Sequence, residues 1–280
     1  MMSAIPSPPV PLPVATTLDD VVETIGTVVD WSIGASNRLG YFAALYKRIT
    51  IAVRTAVAQD AFEDGPRMER FDVAFANRYF DALNGYFHPQ RYPGPTRSWW
   101  TVFAAADTAK PILVQHLVAG VSAHIALDLG IAATQISPGP DLWTLHHDFD
   151  TINAVLAGQV NDVVSRLNQL SPALSDLYAV LAPSELFAIN GVVRAMRDSA
   201  WRFAALLAVE PAFVRPATIR IRDHTVAAQV VSVFDAPALT TVSAAVIREI
   251  AQRESQDIVR NIKVLDAIAA APAAPLQTTL

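Results

Sequence analysis

Apolar residues recur at three- and four-residue intervals along most of this chain, which is the period of an amphipathic helix. Thr17-Leu-Asp-Asp20 reads as a helix start, with a capping threonine and acid in the first turn. Val21, Ile25 and Val28 continue its apolar face, which predicts a helix over 18–33. Ser36 is the expected cap of a second helix, 37–60, with Tyr41, Leu45, Ile49 and Val53 on one side and Lys47, Arg48 and Arg54 elsewhere. Pro66 suits the first position of a third, 66–86, whose face is aromatic through Phe71, Phe75, Tyr79 and Phe80. Residues 87–96 hold three prolines and a glycine and read as an ordered loop or lid. Trp99 and Trp100 follow on a short helix. A long apolar helix is expected from Pro111 to about 133, and Ser137-Pro-Gly-Pro140 breaks it from another over 141–170. Further helices are predicted at 173–181 and 183–208, and a last one at about 239–269. The segment 217–234 fits strand and helix equally, since its TIRIR alternates while VAAQVVSVF does not.

Strand signals are otherwise almost absent, so the expected fold is all-α: one compact multi-helix domain over 17–270 with about eight to nine helices. The five prolines near the N-terminus suggest a flexible lead over 1–16, and the Ala/Pro-rich residues 271–280 suggest a disordered tail.

The central stretch 111–133 carries His116, Gly120, His124 and Asp128 at four-residue steps, and nearly everything between them is Ile, Leu, Val or Ala. Steps of four keep neighbours stacked one turn apart, so these residues form one polar stripe on an apolar helix. Two histidines and an aspartate would be costly in lipid, and no membrane span is expected.

Composition narrows the chemistry. The chain has 280 residues and a net charge of −5, with Lys and Arg scattered, so no nucleic-acid footprint is visible. It has no cysteine, which removes disulfides, thiolate ligands and a cysteine nucleophile and leaves His, Asp and Glu as metal ligands. The N-terminus lacks a basic, then apolar, leader pattern, and a cytoplasmic location is expected.

His124-x-x-x-Asp128 puts an imidazole and a carboxylate on one helix face, and His146-x-x-x-Asp150 repeats the pattern on the next long helix. Returned antiparallel by a short connection, the two would supply four N/O ligands, His124, Asp128, His146 and Asp150. Such a set would suit one divalent ion: zinc, or iron or manganese if the carboxylates dominate. The leading expectation is a metal-dependent hydrolase in which Asp150 or His147 takes a proton from bound water, with Asn153 beside them. His116 and Gly120 would flank the approach, Trp100 and Trp143 would wall an apolar pocket, and His88 on the proline-rich loop would close over it. Two alternatives stand beside it. One is a non-catalytic helical protein that binds an apolar small molecule or a protein partner, the polar stripe fixing helix register. The other is a metal-free enzyme acting on an apolar metabolite.

The run from His116 to Leu129, HLVAGVSAHIALDL, follows RFDVAFANRYFDAL at Arg70–Leu83 and precedes His147-Asp-Phe-Asp-Thr-Ile-Asn153. It resembles a bacterial family of unknown function, domain family 5995, most clearly over 66–170. That resemblance implies a compact helical domain. A weaker likeness is to zinc-dependent phospholipase C and the S1/P1-type nucleases, which would make His124, Asp128, His146 and Asp150 metal ligands. The departure is plain: those enzymes use an N-terminal tryptophan and more histidines than the six here, so one ion is the most this likeness implies.

Overall fold

The computed structural model describes residues 9–108, 111–174, 185–235 and 244–269, and every regular element among them is helical. The predicted helix at 173–181 and the tail 271–280 lie mostly or wholly outside these residues. In chain order the helices are α1 (Leu18–Ala35), α2 (Leu39–Ala58), α3 (Gly65–Phe87), α4 (Arg97–Ala106), α5 (Leu113–Ala123), α6 (Leu129–Ile136), α7 (His146–Leu170), α8 (Glu185–Val209), α9 (Arg215–Asp235), α10 (Ala244–Arg253) and α11 (Ile258–Ala269).

The starts follow from local chemistry. Thr17 and Asp20 form a capping box on α1, and Asp64 accepts from the Arg67 amide to open α3, with Pro66 in its first turn. Ser36, expected to cap α2, instead ends α1 in the left-handed region at φ 50°. The ambiguous segment 217–234 is helical, because Val226, Ala227 and Val230 fall on one buried helical face. The last expected helix is two, since Asp257 turns its carboxylate onto the Arg260 amide at 2.9 Å and begins α11 afresh. This break and the α9 helix bring the helices above the eight to nine expected.

The N-terminal lead is also corrected from Pro9 onward. Leu12 is buried and exchanges two hydrogen bonds with the Asn84 side chain, and Ala15 does the same with Asn77, so this stretch is strapped along α3. Proline keeps it extended, and the two asparagines satisfy the amides a helix or sheet would otherwise pair.

α5 and α6 are one rod, joined by a π-helical turn at His124–Asp128 in which the Leu129 amide reaches back to the His124 carbonyl. Around it stand α2, α3, α4, α8 and α9. Leu117, Ala123 and Leu127 of the rod join one apolar core with Ile25, Phe42, Tyr79, Trp99 and Phe103. Leu129, Ala132 and Ala133 join a second with Met68, Phe71, Leu145, Phe149 and Trp201. Each large side chain so buried contributes about 1.5–3 kcal/mol. The rod, Leu113–Ile136, is the one described helix long and apolar enough to cross a membrane, and 72% of its most apolar window is buried among the others.

α7 does not return along this rod as expected. A 3₁₀ segment at Gly139–Leu145 redirects the chain, and α7 packs instead on α2, α8 and α11, while α8 takes the place beside α6. Gly120, expected to flank the approach to a pocket, lets Phe42 close on the rod instead, with the ring 2.5 Å from where a Cβ would stand. Gly40 provides another close approach: a Cβ there would stand 2.6 Å from Ile262 of α11.

Three substitutions test this packing. Gly120→Ala should lower unfolding free energy in urea by about 1–3 kcal/mol through overpacking, and Phe42→Leu should recover part of that loss. Asp148 is fully buried and accepts from the Glu63 and Asp64 amides and from Arg67, so Asp148→Ala should cost on the order of 3 kcal/mol.

Candidate functional site

The π turn holds His124 and Asp128 at 3% and 1% exposure, in the middle of the aromatic core. π turns widen a helix locally and recur at functional positions. Asp128 is the most heavily bonded side chain there. Its Oδ1 accepts from Arg78 Nε of α3 at 2.8 Å, and its Oδ2 accepts from Trp99 Nε1 of α4 at 2.7 Å and from His124 Nδ1 at 3.3 Å. Burial pulls the Asp128 carboxyl upward, but the Arg78 guanidinium and the His124 and Trp99 donors outweigh it and hold it below the ordinary carboxylate value. Burial holds the His124 imidazole below the usual histidine value, against the pull of Asp128. The pair therefore rests as a neutral imidazole beside a carboxylate, with the proton on Nδ1.

That tautomer leaves the lone pair on His124 Nε2. The nitrogen is buried and has no hydrogen-bond partner in the protein. Phe75 stacks on the ring with centroids 3.5 Å apart and an 8° tilt, Tyr46 meets it edge-on at 4.6 Å, and Phe42, Trp99 and Tyr79 stand at 5.8, 5.8 and 6.2 Å.

A second set of buried polar atoms lies next to this one. The Tyr46 hydroxyl is paired with Thr50, one turn along α2, and Asp72 Oδ2 of α3 is without a hydrogen-bond partner. Burial pushes the Tyr46 phenol well above its ordinary value, and the charges of Asp72 and Asp128 push the same way. Burial raises Asp72 to about 7, with Arg197 of α8 pulling it back. Arg197 is itself buried, donates to Asn153 Oδ1 at 2.9 Å and to the Phe149 carbonyl, and lies over the Phe149 ring at 4.3 Å. A polar seam thus runs through the aromatic core from Arg78 to Arg197.

The other expected site residues fall elsewhere. His146 and Asp150 are 48% and 53% exposed, 3.7 Å apart on the outer face of α7, with the His146 ring against Trp201 at 4.5 Å. His147 is exposed on the same turn. The four expected ligands do not converge, and among the described residues no group of three or more His, Asp or Glu could hold a metal ion. The redirecting 3₁₀ segment is the physical reason. Asp128 fits a cation poorly in any case, because Arg78 and Trp99 already direct N–H groups at its two oxygens. Asn153 positions Arg197 and takes no part beside His124.

Trp100 and Trp143 are 57% and 60% exposed and wall nothing around His124; Trp99 does that. His88 bonds the Pro9 carbonyl through Nε2 at 2.7 Å, so it fastens the N-terminal strap and closes no pocket. His116 is buried in a separate place, against Tyr41 and Phe234, where burial lowers its imidazole to about 3.

Tyr46 and Asp72 were not picked out as site residues from the sequence, and Arg78 and Trp99 were not expected as partners of Asp128. Asp72 could have been, since it stands three residues before Phe75 and seven before Tyr79 on the aromatic face of α3. Nothing along the chain pairs Trp99 with Asp128.

Fold and site together define an all-helical protein built around a buried His–Asp pair on a wide helical turn. The model of the family of unknown function DUF5995 matches residues 18–235, and the chain belongs to that family. No curated protein and no solved structure matches it, and the likeness to phospholipase C and the S1/P1 nucleases is not confirmed.

Stability against pH checks the shifts of Asp72 and His116. A carboxyl that keeps its proton to about pH 7 when folded, but loses it near 3.8 when unfolded, subtracts stability as pH rises across that window. Asp72→Asn should therefore gain on the parent between pH 4 and 7, by about 1.4 kcal/mol per unit. His116 has the opposite sign. The unfolded imidazole takes a proton below 6.5 and the folded one only near 3, so its penalty grows as pH falls. His116→Gln should gain on the parent from pH 6.5 down to 4, and curves parallel to the parent's would contradict either assignment.

Proposed function

We propose that the chain is a metal-independent helical protein that takes up a small, mainly apolar molecule beside His124, which accepts a hydrogen bond from it through Nε2. The observation that carries this reading is the buried, unpartnered Nε2 whose tautomer Asp128 fixes. Leaving such an acceptor unsatisfied costs about 1–3 kcal/mol, and a network serving only to fix helix register would have no use for that cost. Phe42, Phe75, Tyr79 and Trp99 supply apolar surface around the ring, and Tyr46, whose ring is 4.6 Å from that of His124, brings a hydroxyl paired only with Thr50.

The same lone pair supports a second reading, a metal-free enzyme in which His124 is the general base. A carboxylate holding Nδ1–H while Nε2 stays open is the arrangement such a base requires. The metal-dependent hydrolase loses support from the separation of the two His–Asp turns and from the donors already on Asp128.

Phenol and toluene are suitable probes, equal in shape and differing by one hydroxyl. Phenol should shift the ¹⁵N resonance of His124 Nε2 saturably and bind about tenfold more tightly than toluene, the worth of one buried hydrogen bond. No shift of that resonance at saturating phenol would sink the proposal. Dialysis against chelator should leave the melting temperature unchanged.

A further inference from the structure

α9 touches the Asp128 site without contributing a side chain to it. Arg222 donates through Nε to the carbonyl of Ala126, inside the π turn, at 2.8 Å, and through Nη2 to Ser199 Oγ of α8 at 2.9 Å. Its guanidinium lies over the Phe203 ring at 5.2 Å. The next residue, Asp223, does the equivalent for α4. Thr96 makes no side-chain cap there, and the first amides of α4 are taken instead by Asp223, from Arg97 at 2.8 Å and from Ser98 at 3.0 Å, with the Ser98 hydroxyl at 2.8 Å. Ser98 immediately precedes Trp99, the donor to Asp128 Oδ2, and Ala126 stands two residues before Asp128 itself.

We propose that Arg222 and Asp223 are a pair of positioning residues that set the Trp99–Asp128–His124 geometry from outside, one by holding the π turn open and the other by fixing the start of α4. A π turn is the less favourable helical form, and an external donor on one of its carbonyls favours the wide turn over ordinary α-helix. Closing the turn would rotate Asp128 relative to His124 and away from Trp99. An acidic cap worth about 1 kcal/mol fixes the first turn of α4, which is where Trp99 sits. Adjacent positions on one rigid helix tie the two adjustments together, so that Trp99 and Asp128 stay in register even though they come from different elements. The proposal rests on the reading of His124 and Asp128 as the site for its purpose only; the geometry it predicts is measured without any ligand.

The test is hydrogen exchange of the Trp99 indole N–H, assigned with Trp99→Phe, in three variants. Arg222→Met keeps the apolar stem over Phe203 and removes both donors, Arg222→Lys restores one donor, and Asp223→Asn keeps shape while losing the charge. Trp99 indole exchange should speed up about tenfold or more in Arg222→Met and in Asp223→Asn, and by less in Arg222→Lys. The Trp31 indole and the helical CD signal should stay as in the parent. Unchanged Trp99 exchange in these variants would overturn the proposal, and so would equal acceleration at Trp31, which is what general loosening produces. If Arg222→Met does not fold, Arg222→Lys and Asp223→Asn decide. Failure of phenol to bind the parent protein would leave all these rates as they are, so the two readings fail separately.

Discussion

A carboxylate with 1% exposure has to be met by charge and donors, and the protein meets Asp128 from three elements at once: Arg78 from α3, Trp99 from α4 and His124 from the same turn. Removing water from a lone carboxylate would cost many kcal/mol, so none of these contacts is optional. The requirement fixes where α3 and α4 stand around the central rod.

The donors on Asp128 decide the state of His124. With the carboxylate charged and facing Nδ1, the proton stays there, and the neutral ring lies flat on Phe75 with its other nitrogen open. The Tyr46–Thr50 pair and the unpartnered Asp72 carry the buried polar groups on toward Arg197. Packed interiors pair nearly all their polar groups. His124 Nε2 and Asp72 Oδ2 are exceptions to that rule, both within this aromatic core.

Periodicity carried the helices because burial of one face is a local property of spacing. The capping box of α1 and the Pro66 start of α3 were legible because caps are local as well, the family resemblance in 66–170 because its motifs are contiguous residues, and His124 and Asp128 because they are polar on an apolar face. What failed was the pairing of helices. His146 and Asp150 repeat the His124–Asp128 spacing, yet a seven-residue 3₁₀ segment turns α7 toward α2 and leaves them at the surface. Arg78, Trp99 and Arg222 were illegible because their roles come from contacts across 50, 29 and 96 positions of sequence, and no spacing rule reaches that far. The straps made by Asn77, Asn84 and His88 on the N-terminal stretch belong to the same class: proline content described the extended backbone but not what holds it.

Gly40 has a consequence for where this protein can be cut. Its missing Cβ leaves a notch in α2 that Ile262 of α11 fills, and Lys47 of the same helix pairs with Asp266 at 2.9 Å. The family match ends at residue 235, some twenty residues before α11 begins. A chain trimmed to 18–235 would lose the plug from that notch along with the strap on α3, and would present two raw apolar seams to solvent. The family core is thus a socket whose own flanks supply the fitting, and the natural unit to express is longer than the unit that is shared.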